Sequence, residues 1–306
     1  MRYLDPKADL TFKLVFGEHP DLVISLLNAL LPLSEKEEIT QIEYLPAEMV
    51  PENPLRKNSI VDVRCKDKQG RQFLVEMQMV WSPEFKQRVL FNASKAYVRQ
   101  ISATKRYELL QPVYSLNLVN DTFEPDLKGF YHHYKLIHME HSDRIIEGLQ
   151  LIFVELPKFN PHTYSEKKMQ VLWLRYLTEI DEKTRQVSKE LLDNPQVSQA
   201  IEIVRESAFT EAQLLGYEDF WDAIRVEKAF IEGSHERGMA LGLSEGLAKG
   251  LAKGLAKGKE IGKAEGLAEG KAEERYAIAV NLKKQGLDIN LIQQCTGLTT
   301  EEIASL

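Results

Sequence analysis

The chain has 306 residues with 43% hydrophobic content, enough to bury a full core and leave room for an appended region. Its net charge of −7 excludes a surface uniformly coated for nucleic acid. Cys65 and Cys295 form no disulfide framework or metal-ligand spacing, the first residues lack an apolar signal core, and no run approaches the roughly 20 apolar residues that cross a bilayer, so a soluble cytoplasmic protein without a membrane partner is expected.

In chain order, 9–17 reads as a short helical piece whose Phe12 and Phe16 share a face, 21–31 as a helix and 39–45 as a first strand. Residues 59–65 and 73–79 are rich in strand formers, and Asp67-Lys68-Gln69-Gly70 supplies a turn between them. A hairpin folded about position 69 places Asp62 opposite Glu76. Side chains alternate along a strand, so Glu76 and Gln78 share one face while Val75, Met77 and Met79 take the other.

Like charges opposed across a hairpin repel by up to about 1 kcal/mol in water, and burial raises the cost. A divalent cation between Asp62 and Glu76 removes that penalty, and carboxylate oxygens suit Mg²⁺ or Mn²⁺. The alternative from spacing alone is an ordinary solvated hairpin face.

After Ser82-Pro83, residues 84–106 contain no Gly or Pro, which predicts a helix of about six turns. Its apolar side carries Phe85, Val89, Ala93, Ala96 and Ile101, and its polar row carries Arg88, Asn92, Lys95 and Arg99, most of it expected at the surface. Between positions 56 and 106, from Arg56 and Lys57 to Lys105 and Arg106, stand twelve Lys or Arg against four acids. A positive zone of this kind is the footprint of a phosphate-backbone binder.

Strands are expected at 112–119, 130–137 and 149–154. His132, His133, His138 and His141 follow no tight ligand spacing and read as strand or surface residues. Glu155-Leu156-Pro157-Lys158-Phe159 ends a strand at a turn, where Pro157 stops the ladder, and helical pattern begins near 165.

A tandem repeat follows. Glycines recur in strict steps of four from Gly238 to Gly270, inside Gly-Leu-Ala-Lys units. In a helix each four-residue step advances about 40°, so glycine and leucine stripes wind right-handedly and no flat amphipathic face results. Each glycine costs up to about 1 kcal/mol against alanine, so stability must come from elsewhere. Self-association of 233–272 through close backbone approach is one source; a frayed solvated tether is the alternative. Residues 272–285 restart helix-forming sequence, Gly286 breaks it, and 289–306 make a small helix-turn-helix-like end. Its second helix carries Glu301 and Glu302 and no basic residue, which favours a docking or oligomerisation cap over base reading.

An acid in one strand, a short hairpin, then Glu-x-Gln in the next strand resembles the PD-(D/E)XK nuclease core. More closely, the chain resembles the recombination-promoting nuclease and transposase family within that superfamily. The matching pieces are Asp9-Leu10-Thr11-Phe12-Lys13, the Asp62 and Glu76-Met77-Gln78 hairpin, the helix from Arg88 to Gln100, the 155–159 motif and the glycine tail. The resemblance implies an α/β restriction-endonuclease-like core in αβββαβ order, with a mixed sheet flanked by helices and a C-terminal helical extension. The expected division is a core over 1–164, a helical extension over 165–232, the repeat helix over 233–272 and a small helical region over 273–306.

Carried over by position, the resemblance implies that Asp62, Glu76 and the backbone carbonyl of Met77 bind Mg²⁺ or Mn²⁺. Gln78 stands where many relatives have lysine; an amide orients water but brings no positive charge. Arg88 and Lys95 are candidates to supply that charge and to contact DNA, and Asp9 and Lys13 to complete the site. The expected function is a metal-dependent DNA endonuclease linked to transposition or recombination of mobile elements, assembled as a homo-oligomer through 233–272. The second reading is a catalytically degenerate DNA- or protein-binding module that oligomerises through the same helix.

Overall fold

The computed structural model describes residues 2–49, 59–101, 106–161 and 168–306. The chain divides into two compact units, Met1–Ala229 and Phe230–Leu306.

The first unit opens with helices α1 (Asp9–Glu18) and α2 (Pro20–Leu30). Phe12 and Phe16 lie side by side on the buried face of α1 with ring centroids 4.9 Å apart and planes tilted by 55°, as four-residue spacing on a helix allows. Pro20 starts α2 where a missing N–H is harmless, and Leu22, Val23, Leu26, Leu27 and Leu30 form its buried stripe.

Six strands build the main sheet: β1 (Ile42–Tyr44), β4 (Val63–Asp67), β5 (Gln72–Gln78), β6 (Val113–Val119), β8 (His141–Glu155) and β7 (Tyr131–His138), in that spatial order. β2 (Glu48–Met49) and β3 (Ser59–Ile60) pair separately. β5, β6 and β8 run parallel, and the outer pairings are antiparallel. Parallel neighbours need a crossover, and helix α3 (Pro83–Val98) supplies it between β5 and β6.

Side-chain alternation divides the burial. Phe73 and Val75 of β5, with Tyr114, Leu116 and Leu118 of β6, join the main core beneath α1, α2 and the helices α4 (Lys168–Glu179) and α6 (Pro195–Ile203). Trp173 of α4 is fully buried there, and its indole N–H donates to Ser25 at 3.0 Å. On the opposite face, Leu74 and Val113 pack against Ala93 and Ala96 of α3, and Val119 and Phe153 against Phe85 and Val89. A mixed sheet with helices on both faces is the α/β architecture expected, in the expected order of elements.

Two elements differ from their sequence patterns. The run 59–65 is not one strand: it breaks at 61–62, and Ser59–Ile60 pairs with β2. The break follows from Asp62, whose side chain accepts the Met77 N–H at 2.7 Å and so replaces a ladder carbonyl with a carboxylate. Helix α3 stops at Val98 instead of continuing towards 106. Just beyond its end the Gln100 amide donates to the Gln111 carbonyl (2.8 Å) and accepts the Gln111 N–H (3.0 Å), tying the chain to the approach to β6. The helical start expected near 165 lies outside the described residues, and α4 begins at Lys168. The short helix α5 (Lys189–Leu192) links α4 to α6.

Helix α7 (Glu211–Lys284) contains the whole glycine repeat. Its first turns belong to the first unit, where Tyr217 packs with Leu4 and Ala8 and its hydroxyl accepts the Asp5 N–H at 2.9 Å. In the second unit, Gly286 and Gly297 take left-handed conformations (φ 76° and 70°), which end α7 and α8 (Ile289–Thr296) as glycine caps do. Thr299 and Glu302 form a capping box on α9 (Thr300–Ser305), and Ala279, Ile292, Leu298 and Ile303 close a small core.

Candidate metal and phosphate site

The β4–β5 hairpin turns through Gly70 at φ 84° and pairs Val63 with Val75 and Lys66 with Gln72. That register sets Asp62, one residue ahead of β4, level with Glu76. Backbone polar groups alternate across a strand. The Gln78 carbonyl accepts the Asn120 N–H (2.8 Å) on the β6 side, so the Met77 N–H and carbonyl face the β4 side, where Asp62 has taken the N–H.

Glu76 is 6% exposed and points to α3, where Asn92 donates to its Oε1 at 3.1 Å. Burial pushes the Glu76 carboxyl up to about 7; the Asn92 hydrogen bond opposes this, and the charge of Asp62 adds to it. The Asp62 carboxyl is also raised, by burial first, against the Met77 N–H and the charge of Lys13, while Asp9 adds to the rise. Arg88 favours the ionised form of both carboxyls. Asp9 and Lys13, paired at 2.6 Å on α1, thus act on Asp62 in opposite senses.

Gln78 is held at both ends. Its Nε2 donates to the Val80 carbonyl at 2.6 Å, and its Oε1 accepts from Arg88 Nη2 at 2.6 Å. The Arg88 guanidinium also lies 4.8 Å from the centre of the Phe85 ring. Gln78 therefore aims an arginine, and one amide hydrogen is left for other work. Lys95 sits differently: its ammonium lies 5.8 Å from the Phe91 ring centre, and its charge is disfavoured by desolvation and by Arg99.

The basic zone between 56 and 106 is narrower in space than in sequence. Arg56, Lys57 and Lys105 lie outside the described residues. Arg71 is buried against Asp67 (2.6 Å) and the Glu37 carbonyl (2.6 Å), Arg64 donates to Gln72 (3.0 Å), Lys66 pairs with Glu43 (3.0 Å) and Lys86 with Glu124. Those charges serve the fold, and of the zone's cations Arg88 is the one whose charge acts on both Asp62 and Glu76.

Asn92 is the residue whose role the sequence understated. It stands in the polar row of α3 yet is 2% exposed, because the row faces the Glu76 side of β5. Its position one turn from Arg88 was the available signal. Glu155 is a buried node: its carboxylate takes the Phe123 and Glu124 N–H groups (2.6 and 3.0 Å), His132 (2.7 Å) and Lys158 (2.5 Å). The 155–159 motif thereby clamps the end of β8 to its surroundings. His133 bonds Gln150 at 2.6 Å, and the His138 and His141 rings lie 5.0 Å apart, consistent with strand roles.

Among the described residues no three His, Cys, Asp or Glu side chains converge as a metal cluster. The buried Glu76, the half-buried Asp62 level with it and the Met77 carbonyl on the β4 side are nevertheless oxygen donors of the kind Mg²⁺ takes, an ion that uses one or two carboxylates and fills its shell with water and phosphate oxygens.

The six-stranded mixed sheet, flanked by helices and crossed over by α3, is compatible with a PD-(D/E)XK-like α/β nuclease fold. The chain belongs to the family described as PD-(D/E)XK nuclease family transposase, whose model matches residues 6–234. No curated protein matches the chain. No solved structure matches it either. No helix among the described residues is long and apolar enough to cross a membrane.

Proposed function

We propose that the chain is a Mg²⁺- or Mn²⁺-dependent DNA endonuclease of a transposition or recombination system, cytoplasmic, that assembles through residues 233–272. The observation that carries the reading is the placement of Asp62 level with the buried Glu76, whose ionisation the charge of Asp62 makes more costly, within a nuclease-family fold.

Asp62, Glu76 and the Met77 carbonyl would hold the cation, which when bound supplies a Lewis acid for the scissile phosphate and lowers the pKa of water. Asn92 fixes the Glu76 rotamer through its amide. Arg88, exposed and braced by Gln78, contacts phosphate oxygens and stabilises negative charge that develops there, the work that the position of Gln78 leaves undone. Asp9 and Lys13 set the field at Asp62. Lys95 contributes to DNA binding along α3.

Plasmid DNA incubated with the protein and Mg²⁺ tests the reading. Nicking that is lost with chelator, and lost in folded Asp62→Ala and Glu76→Ala proteins, supports it. DNA binding that persists in chelator, with no cleavage at any Mg²⁺ or Mn²⁺ concentration, replaces it with the non-catalytic reading, which the engagement of both ends of Gln78 favours.

A further inference from the structure

Most buried charges of this fold meet an opposite charge. Lys7 meets Asp5 at 2.9 Å, Arg71 meets Asp67 at 2.6 Å, and Glu155 meets Lys158. Among the described residues two buried charges have no such ion pair: Glu76, which faces the proposed cation, and Arg64, which is 9% exposed. The Arg64 guanidinium bonds only neutral acceptors, Gln72 Oε1 at 3.0 Å and the Pro46 carbonyl at 3.4 Å, and its buried Nε–H has no acceptor. These bonds fix the group without neutralising it. A buried charge left in this way is costly until an opposite charge arrives.

Arg64 and Glu76 look to the same side of one hairpin. Arg64 stands opposite Leu74, and Leu74 and Glu76 both point to the face that α3 covers. Helix α3 runs back along β5, about one turn to every two strand residues: Arg88 bonds Gln78, Asn92 bonds Glu76, and Ala93 and Ala96 pack with Leu74. The next turn brings Arg99, three residues past Ala96 and four past Lys95, level with the Leu74–Gln72 end of the strand, where Gln72 holds Arg64. Arg88, Asn92, Lys95 and Arg99 share one flank of the helix. Tyr97 leaves from the opposite flank and lies against Gly148 of β8, so the flank with the cations borders β4.

The electrostatics agree with this placement. Burial first, and then the charge of Arg99, disfavours the charged form of Arg64, and desolvation and Arg99 do the same at Lys95. The cost is the mirror image of the one at Asp62 and Glu76, and an anion relieves it as a cation does there. A guanidinium fork matches the oxygens of a phosphate. The step from Glu76 to the Leu74–Gln72 level is about 7–13 Å along β5, or two to four nucleotides at about 3.4 Å each along a DNA strand.

From this geometry we infer that Arg64, with Arg99 and Lys95, forms a second phosphate subsite that holds the DNA backbone two to four nucleotides from the phosphate at Asp62 and Glu76. The inference rests on the DNA-binding part of the proposed function and adds to it an anchor fixed in β4.

The test is binding of the full chain to a fluorescent DNA duplex in chelator, followed over a range of salt. Arg99→Ala and Arg64→Met are each expected to lower the salt slope by about one and to weaken binding about tenfold at roughly 0.1 M salt. Arg64→Lys keeps the charge and should retain the wild-type slope, a rescue that a purely structural arginine would not show. Arg99 is exposed, so its variant probes the subsite without disturbing the core. A wild-type slope in Arg99→Ala or in folded Arg64→Met overturns the subsite and leaves DNA binding standing. A wild type that binds no duplex at any salt overturns both. Slope losses in a chain that never cleaves DNA support the subsite and remove only the nuclease reading.

Discussion

Replacing Glu76 by glutamine separates the cost of the site from its use. Glutamine keeps the shape and an acceptor for Asn92 but removes the buried charge. The rise of the Glu76 carboxyl from its ordinary 4.5 to about 7 is worth about 3 kcal/mol at 1.36 kcal/mol per unit. The sign follows from proton counts: between 4.5 and 7 the folded chain holds a proton that the unfolded chain has released, so folding stability falls as pH rises through that window. Without metal, Glu76→Gln is therefore expected to be more stable than the wild type by about 3 kcal/mol at pH 8 and by about 1 kcal/mol at pH 5. Urea denaturation in chelator at the two pH values measures the difference. Adding Mg²⁺ should narrow it, because a cation bound to the folded wild type stabilises that protein alone. A Glu76→Gln protein that is less stable at pH 8, or that gains as much from Mg²⁺ as the wild type, refutes the reasoning.

Three further outcomes are expected. Arg88→Ala should reduce DNA cleavage by about a hundredfold and lower the salt slope of DNA binding by about one, with only a small change in unfolding because Arg88 is exposed; unaltered cleavage rates remove it from the site. Lys95→Ala should cost less than tenfold in cleavage, since its neighbours are Phe91 and Arg99, and a loss equal to that of Arg88→Ala contradicts this placement. At Glu155 desolvation raises the carboxyl, but Lys158, the Glu124 N–H, His132 and the Phe123 N–H outweigh it and the net shift is downward. Its stability is present above the ordinary carboxylate range and lost as pH falls through the folded value. Glu155→Gln should therefore destabilise the fold by about 2–4 kcal/mol near neutral pH and less in acid, and equal losses at both pH values argue against the assignment.

Local rules made much of the fold readable. Helical spacing located Phe12 and Phe16 on one face, glycine and turn residues placed the hairpin at 67–70, and the register that follows brought Asp62 level with Glu76. What the sequence hid was set by contacts between distant segments. Asp62 leaves the strand because its carboxylate bonds Met77, and α3 ends early because Gln100 bonds Gln111. Charge counting misled for the same reason: Arg71, Lys66 and Lys86 find partners from other parts of the chain, Glu37, Glu43 and Glu124 among them. Asn92 looked like a surface residue because a polar row on a helix is normally solvated, and only the facing Glu76 makes it a buried support. Gln78 likewise gains its role from Arg88, ten positions away.

Direct metal uptake addresses the account at its root. Calorimetric titration of the metal-free protein with Mn²⁺ and with Mg²⁺ should show saturable binding that is absent in Asp62→Ala and in Glu76→Ala and weakened at pH 5, where Glu76 is protonated. Uptake of neither ion by the wild type, or equal uptake by both variants, would contradict it.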